Sequence, residues 1–267
     1  MEISQMIGYI LAVFVGMTLG MLGSGGSILS VPILVYVMGI EPTLATAYSL
    51  FVIGTTSLVG GIHKAKQSLV DFNKVVLFGI PAVISVFITR KVLVPKIPEI
   101  IFWSAEFTLS KSILIMVVFA IVMIFASVRM IKPLKEKKVS DNEKLNYIKI
   151  VLLGICIGLI SGFVGAGGGF LIVPTLLFFA NTSMKKAVGT SLFIVALQSL
   201  IGFTGDIMSD QIIDWKLLQF FTFASVFGIF IGNFISKKVA EDKLKTGFGG
   251  FVLTMGIYII IREIFFS

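Results

Sequence analysis

A single cysteine, Cys156, leaves the chain no partner thiol for an intramolecular disulfide, and a single histidine, His63, excludes a multi-histidine metal or heme site. Charge is equally scarce. Only 13% of the 267 residues are Asp, Glu, Lys or Arg, against about 25% in ordinary soluble domains. The hydrophobic share is 57% and the mean hydropathy +1.04, more apolar surface than a soluble fold of this length can hide. Basic residues outnumber acidic ones, 22 to 14, for a net charge of +8. That excess sits in short loops, where it reads as a membrane topology signal rather than as affinity for nucleic acid. The opening Met1-Glu2-Ile3-Ser4 lacks the basic region of a cleaved signal peptide, so the first apolar helix is expected to be retained.

What the chain does have is long apolar windows. A membrane span takes about 20 mostly apolar residues. Windows at 44–62, 74–89, 111–128, 185–205, 217–236 and 246–261 qualify, which predicts an all-α polytopic membrane protein.

Two glycine-rich elements interrupt this apolar background and nearly repeat each other. Gly20-Met21-Leu22-Gly23-Ser24-Gly25-Gly26-Ser27-Ile28-Leu29-Ser30-Val31-Pro32 is matched, 142 residues on, by Gly162-Phe163-Val164-Gly165-Ala166-Gly167-Gly168-Gly169-Phe170-Leu171-Ile172-Val173-Pro174. The same shift places Ala45, Ser49, Leu50, Phe51, Ser57, Leu58 and Gly60 on Ala187, Ser191, Leu192, Phe193, Ser199, Leu200 and Gly202. An internal duplication follows. A first transmembrane repeat spans 1–128, a basic cytoplasmic linker 129–147, and a second repeat 148–267. Each repeat reads as a Gly-broken helix pair plus three full spans.

Lys and Arg concentrate in cytoplasmic loops. With the linker inside, sixteen of the 22 fall on the cytoplasmic side. The six outside include Arg90, Lys91, Lys96 and Lys111, so the 90–111 loop fits least well. The two repeats come out in opposite orientations, as in many secondary transporters. Both termini are expected outside the cytoplasm of a plasma-membrane, multi-pass protein. Whether the Gly-broken pairs are re-entrant hairpins or short passes does not alter this parity.

Irregular backbone at membrane depth is tolerated only where protein buries it or where it lines a cavity. In each break the first two glycines, Gly16 and Gly20 or Gly158 and Gly162, lie one turn apart and suit close helix packing. The later ones, Gly23, Gly25 and Gly26 or Gly165, Gly167 and Gly168, permit positive φ and uncover backbone N–H groups. A short helix is expected to start near Ser27 and near Gly169, each presenting free N–H groups and the positive end of its dipole to the break. Two such termini meeting near the midplane would form an anion site without a buried basic side chain. Ser24, Ser27, Ser49, Thr190, Ser191 and Gln198 are the candidate polar lining, with Tyr48, Thr55 and Thr56 as further members. The plainer reading of each hydroxyl is a bond to its own helix backbone.

A dinucleotide-loop reading of Gly165–Gly169 fails because no strand-loop-helix unit, no Lys-Ser/Thr and no suitably spaced acid accompanies it. Among ionizable residues, Asp71 and Asp214 precede helices and read as N-caps. His63 and Asp206 end equivalent helices and read as surface groups; Glu106 falls in an interfacial segment. No cofactor or metal ligand set is evident. The residues leave the coupling ion open, with the proton as candidate, and leave the oligomeric state open.

The paired motifs Gly23-x-Gly25-Gly26-x-x-x-x-x-Pro32 and Gly165-x-Gly167-Gly168-x-x-x-x-x-Pro174, each followed by Ala-x-x-x-Ser-Leu-Phe (Ala45 to Phe51, Ala187 to Phe193), resemble the TauE/SafE sulfite exporter family, also described as 4-toluene sulfonate uptake permeases. The resemblance runs from about residue 6 to 262. It implies transport of small sulfur-containing or organic anions such as sulfite and sulfonates, driven by ion gradients. The expected partners are thus a small anionic substrate and the lipid bilayer. A passive anion channel is the alternative. An intramembrane enzyme has no support, since no metal cluster or carboxylate pair appears at span depth.

Overall fold

A computed structural model describes residues 3–103, 108–131, 147–165, 167–179, 182–208, 212–236 and 241–265. The linker assigned to 129–147 falls mostly outside them, as do Glu106, Ala166 and Asp210. The described residues are overwhelmingly helical, and six helices are long and apolar enough to cross a membrane.

Helix α1 (Ile3–Leu22) ends in a 3₁₀ segment, Gly23–Leu29, which continues through the three-residue α2 (Ser30–Pro32) into a π-helical turn, Ile33–Val37. Helix α3 (Pro42–Ala65) starts on Glu41, whose side chain accepts the Leu44 N–H. Helix α4 (Phe72–Ile88) passes through a π-helical turn, Thr89–Leu93, into the short α5 (Val94–Lys96). The span predicted over 74–89 thus runs a further turn and a half. Strands β1 (Ile100–Trp103) and β2 (Thr108–Ser110) then form an antiparallel hairpin, an element the apolar windows gave no sign of. Helix α6 (Lys111–Ile131) closes the first half. The second half comprises α7 (Tyr147–Val164), α8 (Gly169–Phe179), α9 (Met184–Ile207), α10 (Trp215–Ile235) and α11 (Glu241–Phe265). Asp71 and Asp214 are N-caps, accepting from Lys74 N at 3.3 Å and Leu217 N at 3.0 Å.

The packing exchanges partners between the halves. Helix α1 lies along α10, and α7, its counterpart under the 142-residue shift, lies along α4. The glycines one turn apart make this possible. A β-carbon on Gly16 would overlap the Ser225 carbonyl, and one on Gly158 would overlap the Ala82 carbonyl. A β-carbon on Gly20 would overlap the Ile229 carbonyl, and one on Gly162 the Thr89 side chain. At the centre α3 and α9 run antiparallel, with Gly60 against Leu192 and Gly54 against Leu200. Away from these contacts α4 exposes Phe72, Val76, Ile80, Ile84 and Ile88 at every fourth residue, and α10 exposes Phe220, Phe223, Phe227, Phe230 and Phe234. Such continuous apolar stripes are what a lipid-facing surface requires.

Ends of elements segregate into two faces. At one, Lys74 Nζ donates to Thr182 Oγ1 at 2.8 Å and Gly189 abuts the Leu69 carbonyl. At the other, Ser112 Oγ donates to Glu41 Oε1 at 2.6 Å and Asp214 N to Tyr48 OH at 2.5 Å.

Candidate functional site

Both glycine breaks turn the chain through the left-handed region. Gly23 has φ +69°, Gly165 +75°, Gly167 +64° and Gly168 +60°, conformations that only glycine adopts without strain. Their surroundings repeat with the sequence. Gly23 packs on Val188 and Gly165 on Thr46, two positions themselves 142 apart, near the beginnings of α9 and α3. Each tip is therefore wedged against the other half's central helix, toward opposite faces of the α3–α9 pair.

Beyond the second tip the chain runs inward. Gly167 lies against Ile53, Val195 and the Ser199 hydroxyl, seven residues along α3 from Thr46, or about 10 Å of helix. The 3₁₀ segment Gly23–Leu29 packs against α8, so the two broken elements touch between the tips. Ser27 Oγ in the first break, Gln198 Oε1 and Ser199 Oγ on α9 beside Gly167, and Thr56 Oγ1 and Ser57 Oγ on α3 are buried polar atoms that meet no protein partner. Thr56 matches Gln198 and Ser57 matches Ser199 under the repeat shift, so the same two turns of α3 and α9 supply them. Buried hydroxyls without partners are costly, by roughly 1–3 kcal/mol each. Four such hydroxyls, with the Gln198 amide oxygen, are buried on the first break, α3 and α9.

The predicted lining residues divide. Ser27 and Gln198 belong to this set, although Gln198 Nε2 also donates to the Gly167 carbonyl and to Ser161 Oγ, pinning the break. Gly167 and Gly168 border it, the latter against Ser161. Gly169 opens α8. Ser24, Gly25 and Gly26 lie within the 3₁₀ segment, with the Ser24 side chain outside what the structure describes. Ser49 is buried and shares a 2.5 Å hydrogen bond with Ser30 Oγ, tying the first broken segment to α3. Ser191 donates to its own helix at the Val188 carbonyl, 2.8 Å away. Thr190 sits apart: its hydroxyl accepts the Asp71 N–H at 3.0 Å, at the start of α4. Ser57 and Ser199 were not among the candidates, though both stand in the superposed repeat.

The largest departure from expectation is at Asp206, read from the sequence as a surface carboxylate. It is buried, 4% exposed, and pairs with Arg90 at 3.4 Å. Arg90 in turn is no loop residue. It lies in the π-helical turn after α4 and also donates to Thr46 Oγ1 at 3.0 Å, beside the Gly165 tip. A buried basic side chain thus adjoins the second break, contrary to the expectation of a site without one. Two of the four basic residues in the 90–111 segment are thus charge-compensated, Arg90 by Asp206 and Lys111 by Glu99, each at 3.4 Å. His63 bonds Gln67 at 2.9 Å, at the end of α3 as expected. Among the described residues no group of three His, Cys, Asp or Glu is placed to hold a metal ion.

Comparison with known proteins bears on what this arrangement serves. The model of the family described as sulfite exporter TauE/SafE matches residues 9–259. A probable membrane transporter protein of Xylella fastidiosa (strain 9a5c) is 27% identical, across 93% of this chain and 92% of that protein. Similar proteins carrying the same description occur in Methanocaldococcus jannaschii, 26% identical over 94% of this chain and 95% of the relative, and in Bacillus subtilis, 24% identical over 97% and 100%. No solved structure matches.

Proposed function

The chain belongs to the sulfite exporter TauE/SafE family, a multi-pass membrane transporter rather than an enzyme, and on that premise we propose that it is a secondary transporter of small anions of the sulfite and sulfonate type. The anion binds between the two glycine breaks, where Ser27, Thr56, Ser57 and Ser199 offer buried hydroxyls that no protein group satisfies, while Gln198 holds the second break through its bond to the Gly167 carbonyl. This is the observation that carries the reading. A small oxyanion accepts hydroxyl hydrogens, which these four residues are placed to supply.

Access alternates by rocking of the repeats 1–128 and 148–267 about the α3–α9 crossing. The exchanged packing of α1 on α10 and α7 on α4 supports such a motion, since matched contacts on either side let one arrangement convert into its mirror. The protein lies in the plasma membrane with both termini outside and the linker inside. Supporting this orientation, the loops following α3 and preceding α9, which charge counting assigns to one side, do share a face.

The test is a panel of sulfite, sulfate, methanesulfonate, acetate and chloride against detergent-solubilised protein by thermal shift, followed by flux in proteoliposomes. Saturable uptake that an imposed proton gradient accelerates is the expected result. Unsaturable flux indifferent to the gradient identifies a channel instead, and absence of any anion effect refutes the reading.

A further inference from the structure

Arg90 is the largest completely buried side chain among the described residues, and two of its three guanidinium nitrogens meet no protein partner. Nη1 donates to Thr46 Oγ1 at 3.0 Å and approaches Asp206 Oδ1 at 3.4 Å. Nε and Nη2 meet no protein acceptor. These two nitrogens form one edge of the planar group, and their parallel N–H bonds match a pair of oxygens on a carboxylate, sulfonate or phosphate. The existing ion pair does not use that edge. It is a single contact, longer than the roughly 2.7–2.9 Å of a well-formed charge-assisted bond.

The setting suits a site rather than a structural tie. Arg90 sits in a π-helical turn, a backbone feature that concentrates at functional positions in helices. Gly205 leaves room for it, since a β-carbon there would lie 3.1 Å from Arg90 Cβ. Its partner Thr46 is the residue on which Gly165 packs. Neighbouring Lys91 turns away onto the Phe87 ring, 5.5 Å from its centroid. Allowing for a one-residue offset, the matching position in the second half is Asn233, also buried but uncharged.

We propose that the Nε–Nη2 edge of Arg90 binds two oxygens of the transported oxyanion beside the second glycine break, and that Asp206 is the counter-charge with which the anion competes. The inference rests on the reading that the cargo is an anion. It adds a charged subsite, present in one half only, to the uncharged centre between the breaks.

Purified wild type, R90K, D206N and the charge-swapped R90D/D206R are titrated with sulfite and with methanesulfonate, and their melting temperatures recorded. R90K keeps the charge but loses the fork, and its affinity should fall at least tenfold. D206N removes the competitor, and its affinity should rise severalfold. The swapped variant should regain thermal stability without regaining affinity. Wild-type affinity in R90K or in the swapped protein, or weaker binding in D206N, overturns the proposal. Should R90K not fold, D206N and the swapped protein decide. Failure of wild type to bind any anion overturns the transport reading itself, whereas wild-type binding indifferent to Arg90 overturns this inference alone.

Discussion

The Tyr48 hydroxyl accepts the main-chain N–H of Asp214 at 2.5 Å, joining α3 to the N-cap of α10. Its counterpart exists in the other half, where the Thr190 hydroxyl accepts the main-chain N–H of Asp71 at 3.0 Å, joining α9 to the N-cap of α4. Tyr and Thr share little besides a hydroxyl, so the chemistry, not the side chain, has been kept at matched positions. Each satisfies a partly buried main-chain donor at the start of a helix. Tyr48→Phe and Thr190→Val should therefore each destabilise by about 0.5–1.5 kcal/mol. The two sites share no partner, so the losses should add in the double variant, as read from thermal unfolding in one detergent.

Glycines of equal propensity have opposite roles. Gly16 and Gly158 admit the carbonyls of Ser225 and Ala82, while Gly247 in α11 has nothing within 4 Å of its β-position. Gly16→Ala and Gly158→Ala should cost about 1–3 kcal/mol through forced separation of α1 from α10 or α7 from α4. Gly247→Ala should be neutral or stabilising by up to about 1 kcal/mol, the difference in helix propensity. Melting temperatures that fall in the first two variants and hold in the third are the expected outcome.

How much of this was legible in the sequence depends on whether the signal was local. The N-caps Asp71 and Asp214 and the close-packing glycines follow from short motifs, and the structure has them where those motifs stand. Arg90 and Asp206 did not show, because 116 residues separate them and each ends an apolar run, where a charge ordinarily meets water. A trace was present in the poor fit of the 90–111 loop to the charge rule. Thr190 went astray for a different reason. A hydroxyl beside Ser191 on a helix points some 100° away from it, and only the packing of α9 reveals that this direction is the start of α4.

Glu41 caps α3 and also accepts from Ser112 Oγ at 2.6 Å, clipping α3 to the start of α6. Partial burial pushes its carboxyl up, but the hydrogen bonds from Ser112, Thr43 and Leu44 outweigh this and hold it below the usual carboxylate range. A depressed carboxyl stabilises the fold fully above its unfolded value of 4.5 and loses that contribution as pH falls toward its lower folded value. Wild type should thus lose thermal stability more steeply than Glu41→Gln as pH falls through 4.5 and below, with a constant gap between the two curves at higher pH.

Thr56, Ser57 and Ser199 present hydroxyls that the protein buries and leaves without partners. If these groups served the fold, deleting them would lower stability. If they serve a ligand, the fold bears a desolvation cost for them that deletion relieves. Ser57→Ala and Ser199→Ala should accordingly leave the melting temperature unchanged or raise it, by up to about 1–2 kcal/mol of stability, while weakening sulfite binding by about tenfold. Ser191→Ala is the control, since its hydroxyl only bonds its own helix at Val188 and its loss should leave affinity intact. A fall in melting temperature together with unchanged affinity at Ser57 and Ser199 would move the site away from the α3–α9 crossing. The opposing changes in stability and affinity, seen at matched positions of both halves, would place one oxyanion between them.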